Sequence, residues 1–193
     1  MLVSRDPLAR RVRRAVAGDR RAFTGLYREL HPLVARFVAR RVDSRADAEE
    51  LVAEVFRRVV EHLGDFDPER GTVRAWVLRI ARNAIIDHYR TRKSPVALEA
   101  IADGLRETSG PLEHMIADER TARVRALLAE CPEETRKLLA MRYGDGLRHA
   151  EIAQLLGLRE AAVRKRISRA VRELRLRSRE LEDEPKPEVS HAV

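Results

Sequence analysis

The stretch from Thr72 to Arg90, TVRAWVLRIARNAIIDHYR, constrains this chain more than any other. Val73, Val77, Ile80 and Ala84, with Trp76, Ala81 and Ile85 beside them, recur at the spacing that gathers apolar residues on one side of a helix. Arg79, Arg82, Asn83, Asp87 and Arg90 collect on the other side. The apolar side needs a packed partner, so a helical domain is expected around it. The polar side has two readings. Arginine forks bind phosphate and stack on bases, and an asparagine among them hydrogen-bonds the edge of an unpaired base. A basic face whose only partner is water has the same pattern, and this helix alone leaves both readings open.

Helical periodicity extends to both sides. Phe23, Leu26, Tyr27, Leu30, Leu33, Val34, Phe37 and Val38 form one amphipathic helix that passes Pro32. Ser44 is a helix start, and Leu51, Val52, Val55, Phe56, Val59 and Leu63 form the next apolar face, ended by Gly64. Phe66-Asp67-Pro68-Glu69-Arg70-Gly71 is a loop of turn formers, with Thr72 as N-cap of the helix that follows. From residue 94 to 111 the period is lost among Ser-Pro, Asp-Gly and Gly-Pro breakers, which marks a flexible linker. Helical spacing resumes at Leu112. Pro132 opens a further helix that reaches Tyr143 and is stopped by Gly144-Asp145-Gly146. The expected architecture is all-α. A basic segment, 1–21, precedes a helical domain at 22–93, and a second helical domain at 112–179 is followed by a tail at 180–193 with nothing to bury.

The second domain carries a helix-turn-helix between His149 and Arg172. Ala153 is small where two helices cross, Gly157 permits the turn, and Ile152, Leu156, Leu158 and Val163 supply the apolar contacts. From Arg159 to Arg179 nine basic residues stand against two acidic ones, a density that favours a polyanion over plain solvation. Arg164, Lys165, Ser168, Arg169 and Arg172 are placed to enter a major groove. In such a groove Arg164 and Lys165 are expected nearest the bases, with Arg169 and Arg172 on phosphates.

Composition narrows the partners. A net charge of +8, from 39 Lys plus Arg against 31 Asp plus Glu, suggests nucleic acid before an anionic membrane. No apolar run approaches the roughly 20 residues that span a bilayer, and MLVSRDPLARR has no signal-peptide core, so membrane insertion is not expected and a cytoplasmic location is. Cys131 is the single cysteine and the six histidines lack ligand spacing, so neither disulfide nor metal is expected. No nucleophile and base, paired carboxylates or phosphate-cradling glycine loop suggests an enzyme or a cofactor.

The order Trp-x-x-x-Ile-Ala-Arg-Asn-x-x-x-Asp-x-x-Arg, preceded by Asp47-Ala-Glu-Glu-Leu-Val-Ala-Glu-Val-Phe56 and followed by the helix-turn-helix, resembles the extracytoplasmic-function (ECF) group of bacterial sigma factors. The resemblance covers about 22–92 and 122–174. It implies promoter DNA and core RNA polymerase as partners, an anti-sigma factor as inhibitor, and a monomer when free. It implies that Asp47, Glu50 and Glu54, with Leu51 and Val55 beside them, dock on the polymerase clamp helices. Asn83, with Phe66, Asp67, Arg70, Arg79, Arg82, Asp87 and Arg90, would hold the minus-ten element and a base flipped out of it. Arg164, Lys165, Ser168, Arg169 and Arg172 would meet the minus-thirty-five element. The rival reading is a stand-alone helix-turn-helix regulator, which leaves the Asp47 face and the Trp76 helix without a task. A helical enzyme or a basic scaffold is a more distant one.

Overall fold

Four side-chain oxygens set the helix starts of the first domain in a computed structural model that describes residues 6–92, 124 and 126–183. Asp6 accepts from the Leu8 N–H at 3.0 Å and opens α1, Pro7–Val16. Asp19 accepts from Arg21 and Ala22 at 2.9 and 3.0 Å and opens α2, Arg20–Ala39. Ser44 caps α3, Arg45–Glu61, through the Asp47 N–H, and Thr72 caps α4, Val73–Thr91, through the Ala75 N–H at 3.2 Å. Each cap satisfies donors that a helix leaves without a partner in its first turn. A 3-10 turn, Leu63–Asp65, links α3 to the 66–71 loop.

Within the basic segment before Ala22, residues 7–16 form a helix of this domain. Leu8, Ala9 and Val12 of α1 are buried, and α1 packs along α2. The arginine cluster conceals this, because only three positions of the helix face inward. The domain core is built from Leu30, Val34, Phe37, Val38, Val55, Val77, Leu78, Ala81 and Ile85, all almost fully enclosed. Each large aliphatic side chain so buried contributes about 1.5–3 kcal/mol before entropy is counted. Leu78 is completely buried, whereas Ile80 and Trp76 are half-buried. The stripe on α4 is wider than the one-sided spacing of its sequence because the helix packs against α2 and α3 and also against a helix of the second domain.

That second domain holds a helical turn at 126–129, α5, Glu133–Leu139, a π-type turn, Ala140–Gly144, then α6, His149–Leu156, and α7, Glu160–Asp183. Gly157 sits at φ +67° between α6 and α7, and the Leu158 N–H returns to the Ala153 carbonyl at 2.8 Å, closing α6 with a left-handed cap. Met141, Leu147, Ile152, Ala153, Val163, Ile167 and Ala170 form its core. The described residues contain no strand. The last helix reaches Asp183, four residues into the stretch expected to be tail. The rest of that tail and the 94–111 linker lie outside the described residues.

The two domains touch. Arg41, at the end of α2, and Asp145, in the turn after the π-type segment, are both buried and meet at 2.8 Å between Nη2 and Oδ2. Arg41 also donates to the Phe37 carbonyl at 2.8 Å and lies 3.6 Å above the Phe37 ring, while the Tyr89 hydroxyl donates to the Arg41 carbonyl. Arg74 of α4 meets Glu151 of α6 at 3.0 Å, and Glu151 at the same time accepts from the Arg148 N–H at the start of α6.

Candidate nucleic-acid interface

Asp67 organises the loop ahead of α4: its carboxylate accepts from the Glu69 N–H at 2.9 Å and its carbonyl from the Arg70 N–H at 3.2 Å. The chain then passes Gly71 at φ +152°, a conformation that side chains resist, and enters α4. A small pocket of about 130 Å³ lies in this bend, walled by Phe66, Asp67, Arg70, Ala75, Trp76 and Arg79. Phe66 and Trp76 meet edge to face with centroids 5.7 Å apart. Trp76, read from its spacing as core, rests one part on the core and turns another to the pocket. Planar walls and a guanidinium suit a flat heteroaromatic ring.

Asn83 is exposed one turn beyond Arg79, about 6 Å along the helix. It therefore stands outside the pocket but on the same side of α4. Arg82 is half-buried, and Arg90 is exposed. Asp87 is engaged, accepting from Arg58 at 3.0 Å and lying 3.2 Å from Arg90. Its role is to tie α4 to α3 and steady Arg90, which leaves Arg79 and Asn83 as the outward groups nearest the loop.

On α3 the acidic face is present but largely paired. Asp47 receives two hydrogen bonds from Arg92, at 2.6 and 2.8 Å, and these hold its carboxyl below the usual range. Glu54 is bonded by Arg57 and then Arg58, which lower its pKa to about 2. Nearby His88 is shifted down, by burial first and then by Arg92, against the opposing pull of Asp47 and Glu50. Leu51 and Val55 do not join this surface. They are 5% and 0% exposed and belong to the core, because they fall on the stripe that packs against α2 and α4. Of the five residues expected to dock, Asp47, Glu50 and Glu54 are the ones that reach the surface of α3.

In the second domain Arg164, Lys165, Ser168, Arg169 and Arg172 are all exposed and line one open groove of about 860 Å³. Arg142, Tyr143, His149, Arg175 and Arg179 join them. Neither the spacing of the helix-turn-helix nor its charge count could have found Arg142 and Tyr143, which precede it and arrive through the π-type turn. Arg166 and Arg177 face elsewhere, meeting Glu134 at 3.3 Å and Glu130 at 3.1 Å. The helix thus separates basic residues that brace the domain from those that face the groove.

Comparison with known proteins agrees with this division. The family model for Sigma-70 region 2 matches residues 26–94, and that for Sigma-70, region 4 matches 121–174. The ECF RNA polymerase sigma factor SigL of Mycobacterium tuberculosis is 32% identical over 176 residues, 89% of this chain and 97% of SigL. The chain belongs to the ECF sigma factors of RNA polymerase. The ECF sigma factor BldN of Streptomyces coelicolor is 29% identical over 165 residues, 84% of this chain, which spans 62% of BldN's length. Among solved structures, CnrH in complex with the cytosolic domain of CnrY has a TM-score of 0.56 at 26% identity, covering 91% of this chain and 97% of CnrH. Within this ECF sigma factor, the pocket, Asn83 and the α3 face fall in region 2 and the basic groove in region 4. Helix α1 lies ahead of the region 2 match.

Proposed function

We propose that this ECF sigma factor binds core RNA polymerase through the Asp47, Glu50 and Glu54 face of α3, engages the promoter minus-ten element with the 66–71 loop and α4, and anchors on the minus-thirty-five element with α7. The observation that carries the reading is the pocket at the start of α4. Beside it, Arg79 and Asn83 face outward from a helix whose opposite side is wholly committed to packing. A base taken out of the duplex costs a few kcal/mol, and ring walls with hydrogen-bonding groups alongside are what offsets that cost. Arg164 and Lys165 lie toward the bases, while Arg169 and Arg172 supply phosphate contacts.

The protein performs no bond chemistry of its own in this scheme; it directs the polymerase to a start site from the cytoplasm. No described helix is long and apolar enough to cross a membrane. An anti-sigma factor is the expected inhibitor, in line with the complex that CnrH makes with the cytosolic domain of CnrY. Co-purification with core polymerase tests the reading against a stand-alone regulator. Stable capture of core by the wild-type chain, lost on charge reversal at Glu50, is the expected result. Duplex binding with no capture would return the protein to the regulator class.

A further inference from the structure

The pocket at the start of α4 has a wall that does not come from its own domain. Gln154, exposed on α6 of the helix-turn-helix, reaches across the domain contact and closes it. Its Oε1 accepts from the Thr72 N–H at 3.2 Å. Its amide lies flat against Gly71, so close that a Cβ there would stand 2.7 Å from Oε1 and 3.0 Å from Cδ. Glycine is needed at 71 for this approach as well as for its backbone angle. Two ion pairs fix where α6 sits: Glu151, one turn earlier on α6, holds Arg74 beside the pocket, and buried Asp145 holds Arg41.

A primary amide is a small planar group with a carbonyl acceptor, and its contact here is of the kind the edge of a nucleobase makes with a backbone donor. We propose that Gln154, by closing one side of the minus-ten base pocket and taking the Thr72 N–H, competes with an extruded base, so that docking of the helix-turn-helix domain and capture of that base oppose one another. In its docked form the protein therefore withholds the Thr72 N–H, and one side of the pocket, from a base. Release of region 4 toward upstream DNA frees region 2 to hold a base. The inference rests on the reading of this pocket as the base site.

Trp76 is the single tryptophan of the chain and lines the pocket, so its emission reports on occupancy there and not on phosphate binding along α7. The full-length protein is titrated with four single strands, each of one base and about eight nucleotides long, at fixed salt. Gln154→Ala removes the amide from an exposed helical position and keeps the fold. It is expected to tighten the titration of Trp76 quenching by about fivefold for the preferred base, the equivalent of one modest hydrogen bond no longer in competition. Arg79→Ala, added to Gln154→Ala, is expected to reverse the gain. Quenching that Gln154→Ala leaves unchanged, but that Arg79→Ala weakens, would overturn the occlusion and spare the base site. No strand quenching Trp76 in Gln154→Ala, or quenching indifferent to Arg79→Ala, would overturn the base-site reading itself.

Discussion

Asp145→Ala is the perturbation whose cost the structure specifies best. Asp145 and Arg41 are 2% and 4% exposed and joined through two hydrogen bonds, so removing the carboxylate leaves a buried guanidinium without its counter-charge. Breaking such a pair costs about 3–5 kcal/mol. Arg41 keeps the Phe37 carbonyl and the face of the Phe37 ring, which places the expected cost near the lower end, at about 3 kcal/mol. The pair bridges two domains, however, and undocking returns Arg41 to water. The observable is therefore separation before unfolding. Calorimetry should resolve two transitions where the wild type shows one, and X-ray scattering should report a larger radius of gyration. Arg41→Met combined with Asp145→Leu replaces the pair by apolar groups and should restore the compact form. A single-site Asp145→Ala chain with an unchanged scattering profile and melting curve would refute the reasoning.

Other consequences are as specific. Arg169→Ala with Arg172→Ala should lower the slope of log affinity for duplex DNA against log salt by about 2, whereas Arg166→Ala, whose side chain is turned to Glu134, should leave the slope unchanged. Equal slopes for the two would place phosphate contacts elsewhere. Reversing Glu50 to lysine should abolish capture of core polymerase while shifting the melting temperature little, since an exposed charge adds little stability. In acid, Glu54 has its folded pKa lowered to about 2 from an ordinary 4.5, so its contribution is complete above 4.5 and lost as pH falls toward 2. Asp47 is lowered in the same sense. The urea midpoints of wild type and Glu54→Gln should therefore converge as pH drops through that window, and a gap that persists at its lower end would contradict the pairing.

The helices α2 to α4 and two of their caps were legible in the residues because period and cap chemistry are local: Ser44 and Thr72 start their helices, and Gly157 makes its turn, as their types dictate. Asp6, which caps α1, was not legible at all. Its second oxygen accepts from the Val73 N–H at 3.1 Å, tying the start of α1 to the start of α4, 67 residues away. Leu51 and Val55 were placed with a docking face that burial denies them, since a motif names a stretch and not the side of the helix that looks out. Trp76 and Gln154 escaped for a related reason. One is shared between core and pocket, and the other acquires its role only through the contact of two domains. The ion pairs Arg41–Asp145 and Arg74–Glu151 span long separations that no periodicity encodes.

The central claim is that this chain directs core polymerase to promoters and opens them at a base-reading helix. The most direct measurement is run-off transcription by core polymerase on fragmented genomic DNA of the source organism, with wild type and Asn83→Ala compared on the start sites found. Asn83 is exposed and its loss spares the core, so the variant should still assemble with core. The account predicts discrete, sigma-dependent start sites with wild type. With the variant it predicts a loss of initiation that recovers when the minus-ten region is supplied already unpaired, because the cost of extruding the base is then removed in advance. An absence of sigma-dependent starts, or a variant equal to wild type on fully paired templates, would contradict it.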